Sequence, residues 1–271
     1  MKDGFVKAAA ASPVIKVADA EYNAQQVIKC MAAAREKGVK LLVFPELTLT
    51  GCLCYDLVGH RVLLEGAAAA LEKVVKASEG TDMLVLVGLP YAFGSRLLSC
   101  AAVVYDGELL ALIPRENVAG SRFADYPGEG ELVYVGALET ELCPGALFTH
   151  RSLNGLTVAV ELGADVTAAD SPTAYYAQSG ATVIAQMASF PATVSSTDDA
   201  LLAARYESKR FACGLVLAAP GKGESTTDNV CSGLCLVSEN GVVLAQDERA
   251  DSMAVSEIDV DFLLNLRRRT G

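Results

Sequence analysis

The chain has 271 residues, 52% of them hydrophobic and 20% charged, which is enough apolar material for a large core and too much for a disordered segment. Lys and Arg number 22 against 33 Asp and Glu, a formal net charge of −11 at pH 7. Phosphate backbones and anionic membranes would meet repulsion over most of such a surface, which argues against nucleic acid or a membrane as partner.

In chain order, FVKAAAASP (5–13) reads as a first strand. A helix is predicted from Asp19 to Lys37, where Val27, Cys30, Met31 and Ala34 recur at helical spacing and Gly38 supplies the stop. VKLLVF (39–44) has the length and β-branched content of a buried strand. RVLLEGAAAALEKVVKASEG (61–80) is a second amphipathic helix ending at Gly80, and MLVLVG (83–88) a further strand. Two apolar runs meeting at Asp106-Gly107 (97–114) form a hairpin, and CSGLCLVS (231–238) with VVLAQ (242–246) forms another around Glu239-Asn240-Gly241. Between the hairpins lie LTVAV (156–160), a helix around Ala174–Ser179, TVIAQ (182–186), a helix over Asp198–Ala212 and LVLAA (215–219). SMAVSEID (252–259) is a last strand before a solvated basic tail at Arg267-Arg268-Arg269. Residues 116–150 show no regular pattern, which in a compact domain marks a functional or mobile loop.

Helices between early strands, two hairpins and no Pro/Gly/Ser linker predict one α/β domain over 1–271 with mixed sheets. No run of about 18 uncharged apolar residues occurs, and the opening MKDGFVKAAAASP is too short in apolar length for a secretory signal, so a cytoplasmic protein is expected. Cys30, Cys100, Cys213, Cys231 and Cys235 sit in apolar runs and read as reduced, buried small hydrophobes. With His60 and His150 as its histidines and no C-x-x-C pair, the chain is expected to hold no metal. Asp198-Asp199 reads as a helix N-terminal pair rather than a metal site. Gly221-Lys222-Gly223 lacks the rest of a phosphate loop.

Ligands in open α/β sheets sit beyond the carboxyl ends of strands. Three such ends carry polar residues: Glu46 after LLVFP, Arg115 after LLALIP, and Glu161-Leu162-Gly163-Ala164-Asp165 after LTVAV. They are expected to share one cleft, with Glu46 paired to Arg115.

FPELTLTG (44–51) resembles the F-P-E-L-x-x-x-G signature of the nitrilase, or carbon–nitrogen hydrolase, superfamily. The opening segment, GKGESTTDNVCSG (221–233), SENGVVLAQDER (238–249) and the IDVDFL…RRRTG ending are similar to the N-terminal glutamine-hydrolysing domain of glutamine-dependent NAD synthetases. The resemblance covers nearly the whole chain and is weakest between residues 115 and 200. It implies a four-layer αββα sandwich, no cofactor in this domain, and a homo-oligomer. It also implies a Cys–Glu–Lys triad in which the Glu is the base, the Lys stabilises the oxyanion and the Cys thiolate attacks the glutamine amide. The ammonia released would feed a synthetase domain or subunit, whose S-G-G-x-D-S loop does not occur here, so that domain is expected to be absent.

Glu46 stands at the base position. The lysine position holds Arg115, whose planar fork is bulkier and differently aimed than an ammonium. The cysteine position holds Gly163, and the family's glutamine-contact positions hold Ser121, Phe190 and Ser196. These departures imply a degenerate site serving as a scaffold or regulatory partner in NAD biosynthesis. The alternative is an active amidase or glutaminase using a displaced thiol, for which Cys52, Cys54 and Cys143 are the candidates.

Overall fold

A computed structural model describes residues 4–167, 171–224 and 228–270. Strand β1 (Phe5–Ser12) leads to α1 (Ala20–Glu36), β2 (Leu41–Val43), α2 (Arg61–Ala77), β3 (Leu84–Phe93), β4 (Arg96–Tyr105) and β5 (Glu108–Pro114). Strands β6 (Glu131–Val135), β7 (Leu138–Leu142), β8 (Phe148–Thr149) and β9 (Thr157–Leu162) follow, then α3 (Thr173–Gln178), β10 (Val183–Met187) and α4 (Ser196–Arg210). The chain closes with β11 (Gly214–Ala218), β12 (Cys235–Glu239), β13 (Val242–Asp247), β14 (Ser252–Asp259) and α5 (Val260–Thr270).

Among the described residues these strands make an eight-stranded sheet ordered β14-β1-β2-β3-β4-β5-β7-β6 and a six-stranded sheet ordered β13-β12-β11-β10-β9-β8. The alternation of side chains along each strand explains why the sequence shows unbroken apolar runs. On β1, Ala8 and Ala10 face the core between the sheets, with Leu41, Val43, Val158, Val160, Val183 and Val216. Ala9 and Ala11 face the opposite way, into the layer under α1 and α2, with Val27, Met31, Leu71 and Val74. On the second sheet Leu215, Leu217 and Leu236 pack outward against Ala204 of α4. Both faces of the central strands of each sheet are therefore covered, and the architecture is the expected αββα sandwich.

The predicted turn chemistry is present. Asp106 (φ 47) and Gly107 (φ 81), like Asn240 (φ 43) and Gly241 (φ 87), place two left-handed residues in succession, as a tight right-twisted hairpin requires. The Asp19 side chain caps α1 by accepting from Tyr22 N–H.

Two expectations are corrected. The segment 116–150 is not patternless: β6 and β7 pair antiparallel at one edge of the larger sheet, and β8 pairs with β9. Its alternation was masked because outward positions are also apolar, with Leu132 63% and Tyr134 59% exposed. The basic tail is solvated only in part, with Arg268 and Arg269 exposed and Arg267 held inward. It forms α5, whose Val260 and Leu263 are fully buried against the inter-sheet core. Arg267 donates to the carbonyls of Ala212 (3.0 Å), Ala177 (3.4 Å) and Ala181 (2.6 Å), at the carboxyl ends of α4 and α3.

Candidate functional site

Glu46 lies on a tight loop that follows β2 and bridges the two sheets. Phe44 N–H donates to Leu86 O (3.0 Å) on the first sheet, and Glu46 N–H donates to Ala188 O (3.2 Å) just past β10 of the second. The loop lies so close over β3 that a Cβ at Gly88 would stand 2.3 Å from Leu47 N. Glu46 is thereby delivered to the interior, 1% exposed.

Arg115 leaves the end of β5 beside it, 9% exposed. Its Nη1 lies 3.3 Å from Glu46 Oε1, and its Nε donates to Asn117 O (2.7 Å). Ser99 on β4 ties the two together: its hydroxyl donates to Glu46 Oε1 (2.6 Å), and its carbonyl accepts from Arg115 N–H (2.9 Å). Gly163 directly follows β9 at the same point, with φ +55. A Cβ built on it would meet Glu46 Oε2 at 2.4 Å, Arg115 Nη1 at 2.8 Å and Arg115 Cζ at 2.9 Å. The three strand ends thus converge on one point, and the pairing of Glu46 with Arg115 is present.

Carboxylates behind this point hold the backbone. Asp165 accepts from Asn117 N–H (2.6 Å), Glu116 N–H (3.2 Å) and Leu162 N–H (3.4 Å), joining the loop after β5 to the loop after β9. Burial raises the Asp165 carboxyl above its usual range despite those donors. Glu161, fully buried, accepts from the Thr173 hydroxyl and from Gln186 Nε2 (2.9 Å), and Gln186 also reaches Glu207 (3.1 Å). Burial pushes Glu161 up to about 8. A cavity of ≈ 440 Å³ opens alongside, lined by Glu116, Asn117, Asp125 and Asp165 among others.

The other sequence-derived positions are engaged elsewhere. The Ser121 hydroxyl donates to Val118 O (2.8 Å) in an exposed turn. Phe190 packs beside Val166, Ala188 and Ala204. Ser196 opens α4 and exchanges hydrogen bonds with Thr193 (3.0 and 3.1 Å). Among the described residues none of the three hydrogen-bonds to Glu46 or Arg115. Asp198 and Asp199 lie in the first turn of α4, as expected, and Ser195 Oγ donates to Asp199 (2.8 Å).

The candidate displaced thiols are poorly placed. Cys52 Sγ donates to the backbone carbonyl of Glu46 (2.7 Å), not toward its carboxylate, and burial pushes its thiol well above the ordinary range. Cys54 donates to Thr50 O (2.9 Å), and burial pushes it to about 11, as it does Cys143. Glu224, from the GKGE segment, accepts from Cys52 N–H (2.8 Å), and burial raises it to about 7. That segment is therefore a brace for the Glu46 loop. Ser225, Thr226 and Thr227 of the same motif lie outside the described residues. No cluster of three or more His, Cys, Asp or Glu suited to a metal occurs among the described residues.

Sequence reading found Glu46, Arg115 and Gly163 from their strand ends but missed Ser99 and Gln186. A lone Ser inside the apolar run LLSCAAVVY, and a lone Gln in TVIAQ, were the available signals for buried polar contacts.

The profile described as Carbon-nitrogen hydrolase matches residues 7–268. The chain is 32% identical over 278 residues to the glutamine-dependent NAD(+) synthetase of Mycobacterium leprae (strain TN), covering 99% of this chain and 41% of that protein. It is 25% identical over 265 residues to the enzyme of the same name from Aquifex aeolicus (strain VF5), covering 94% of this chain and 43% of that protein. The chain thus spans about two fifths of the length of these curated relatives. In fold it is similar to a glutamine-dependent NAD(+) synthetase from Cytophaga hutchinsonii, with TM-score 0.82, 17% identity and coverage of 94% of this chain and 43% of that one. It is also similar to an amidase from Nesterenkonia sp., with TM-score 0.74, 18% identity and coverage of 99% and 97%.

Proposed function

Because the chain belongs to the carbon–nitrogen hydrolase family, we propose that it is a catalytically degenerate relative of the glutamine-hydrolysing domain of NAD synthetases, acting as a scaffold or regulatory partner in NAD biosynthesis. One observation carries this reading: the place of a nucleophile's Cβ at Gly163 is filled by Glu46 and Arg115. Amide hydrolysis by this family's chemistry needs a thiolate in line with the carbonyl, a base to take its proton and a donor for the oxyanion. Gly163 supplies no thiol. Glu46 Oε1 already accepts from Ser99 and Arg115, so that oxygen is engaged in an internal ion pair.

Water attack with Glu46 alone as base is the remaining route. In serine proteases, losing the nucleophilic unit while keeping substrate binding and the oxyanion site leaves about 10³–10⁴-fold over water. Ser121, Phe190 and Ser196, at the family's glutamine-contact positions, are tied up locally, so less than that remains here. The raised thiols of Cys52, Cys54 and Cys143 weigh against a displaced nucleophile.

The test is ammonia release from glutamine, with labelling by the glutamine-mimicking electrophile diazo-oxo-norleucine. No turnover and no covalent adduct are expected, with or without an added synthetase. Turnover that survives alanine replacement of Cys52, Cys54 and Cys143 overturns the reading, and turnover abolished by one of them identifies a displaced nucleophile. A homodimer is proposed as the working unit, as a two-fold interface is the commonest solution for soluble chains. A monomer mass in light scattering at high concentration refutes that part.

A further inference from the structure

A cavity of ≈ 640 Å³ opens at the other end of the sandwich, within the size range of small-molecule pockets. Its lining includes Lys40 and Leu41, which enter β2, whereas Glu46 lies beyond the end of that strand. At about 3.3 Å per residue the two sites are separated by up to roughly 20 Å. Both sheets contribute to the floor: Leu41 and Leu84 from the first, Phe148, Leu156 and Val158 from the second.

The polar groups on the wall fall into two sets. Asp82 is satisfied internally: Lys40 Nζ donates to Oδ2 (2.7 Å) and the Tyr105 hydroxyl to Oδ1 (2.9 Å). The lysine beside it holds the Asp82 carboxyl below its usual range. The second set is unfilled. His150 Nδ1 accepts from Ser152 N–H (3.2 Å) and Leu153 N–H (3.1 Å), which fixes the ring with its hydrogen on Nε2. That Nε2 stands 3.8 Å from Asp82 Oδ1, too far for a hydrogen bond. Next to it Arg151 lies exposed, and among the described residues its guanidinium has no hydrogen-bonding or ionic partner. Glu108 also lies on the lining and, like Arg151, is exposed to water, where its charge is screened. Among the described residues the Arg151 guanidinium and the His150 N–H are thus donors on the wall without a hydrogen-bonded partner, above an apolar floor of Leu41, Leu84, Phe148, Leu156 and Val158.

We propose that this cavity binds a small amphipathic monocarboxylate. Its apolar body lies against Phe148 and the leucines, and its carboxylate accepts from Arg151 and His150 Nε2–H. The site is independent of the Glu46 cleft and does not depend on whether that cleft turns over an amide.

The test uses decanoate, below its micelle concentration, in calorimetric titrations of the full chain. Saturable binding of one molecule per chain is expected, with acetate, which lacks the apolar body, producing none. Arg151→Gln, at an exposed position, should weaken decanoate binding by about tenfold or more, as expected for loss of a charge-assisted hydrogen bond. The chain contains no Trp, so Ser152→Trp at the exposed rim provides a single emission reporter that decanoate should shift. Absent saturable binding, an affinity unchanged in Arg151→Gln, equal binding of acetate and decanoate, or an emission that decanoate leaves unmoved would each overturn the proposal.

Discussion

Replacing Gly163 by Cys would place a thiol at the proposed nucleophile position, yet the geometry predicts a damaged protein rather than a rescued one. The first penalty is conformational: φ is +55, and an L side chain held there costs about 1–2 kcal/mol. The second is steric. The new Cβ would meet Glu46 Oε2 at 2.4 Å and Arg115 Nη1 at 2.8 Å, so the buried ion pair must open. Overpacking of this kind costs about 1–3 kcal/mol. Together the loss is about 2–5 kcal/mol against a typical total of about 5–15, which urea unfolding resolves readily. Gly163→Ala carries the same backbone and Cβ penalties without a thiol, and should fall within about 1 kcal/mol of Gly163→Cys. Coupling Gly163→Cys to Arg115→Lys removes the planar fork from the crowded space and should recover part of the loss. None of the variants is expected to release ammonia from glutamine. A Gly163→Cys protein as stable as the parent, or one that hydrolyses glutamine, would refute the packing argument.

Arg115→Ala leaves Glu46 as a buried carboxylate without a cation and should cost about 3–5 kcal/mol in urea unfolding, more than the paired replacement Glu46→Gln with Arg115→Met. Glu161, whose carboxyl is raised from 4.5 to about 8, keeps a proton through a window in which the unfolded chain has lost it. Its contribution to stability is therefore full below about 4.5 and declines as pH rises toward about 8. Glu161→Gln should flatten that part of the melting-temperature profile between pH 5 and 8, and an unchanged slope would remove Glu161 as its source. Arg267→Ala removes a guanidinium that bonds three carbonyls at helix ends, and should lower stability by about 1.5–3 kcal/mol, with faster amide exchange across α5 than elsewhere.

The sandwich was largely legible because its strands are buried on both faces and its turns carry specific chemistry. Asp106-Gly107 and Asn240-Gly241 announce themselves through residues that tolerate positive φ. The β6–β7 hairpin did not, since Leu132 and Tyr134 place apolar side chains on the solvent face and erase the alternation. The α5 helix was hidden for a related reason. Three consecutive arginines read as a solvated tail, whereas Arg267 is drawn inward by carbonyls at the ends of α3 and α4, contacts far away in sequence. At the site, strand ends identified Glu46, Arg115 and Gly163. Which atom faces which was invisible, and so was Ser99, because a hydroxyl inside an apolar strand carries no periodic signature.

Three positions at this point constrain one another physically, and the constraint gives the proposed degeneracy its logic. Glu46 is held in the interior by backbone bonds to both sheets and cannot withdraw to solvent when a partner is lost. A carboxylate so buried demands a permanent counter-charge and hydrogen-bond donors. Arg115 supplies the charge and Ser99 a donor, with the guanidinium further anchored by Asn117 O. That arrangement needs the space over residue 163, which glycine leaves open and which the added Cβ of a cysteine would close. Once the arginine occupies it, a returning cysteine is opposed by sterics. Recovery of hydrolysis therefore requires simultaneous change at residues 115 and 163, and single substitutions at either should lose stability without gaining turnover.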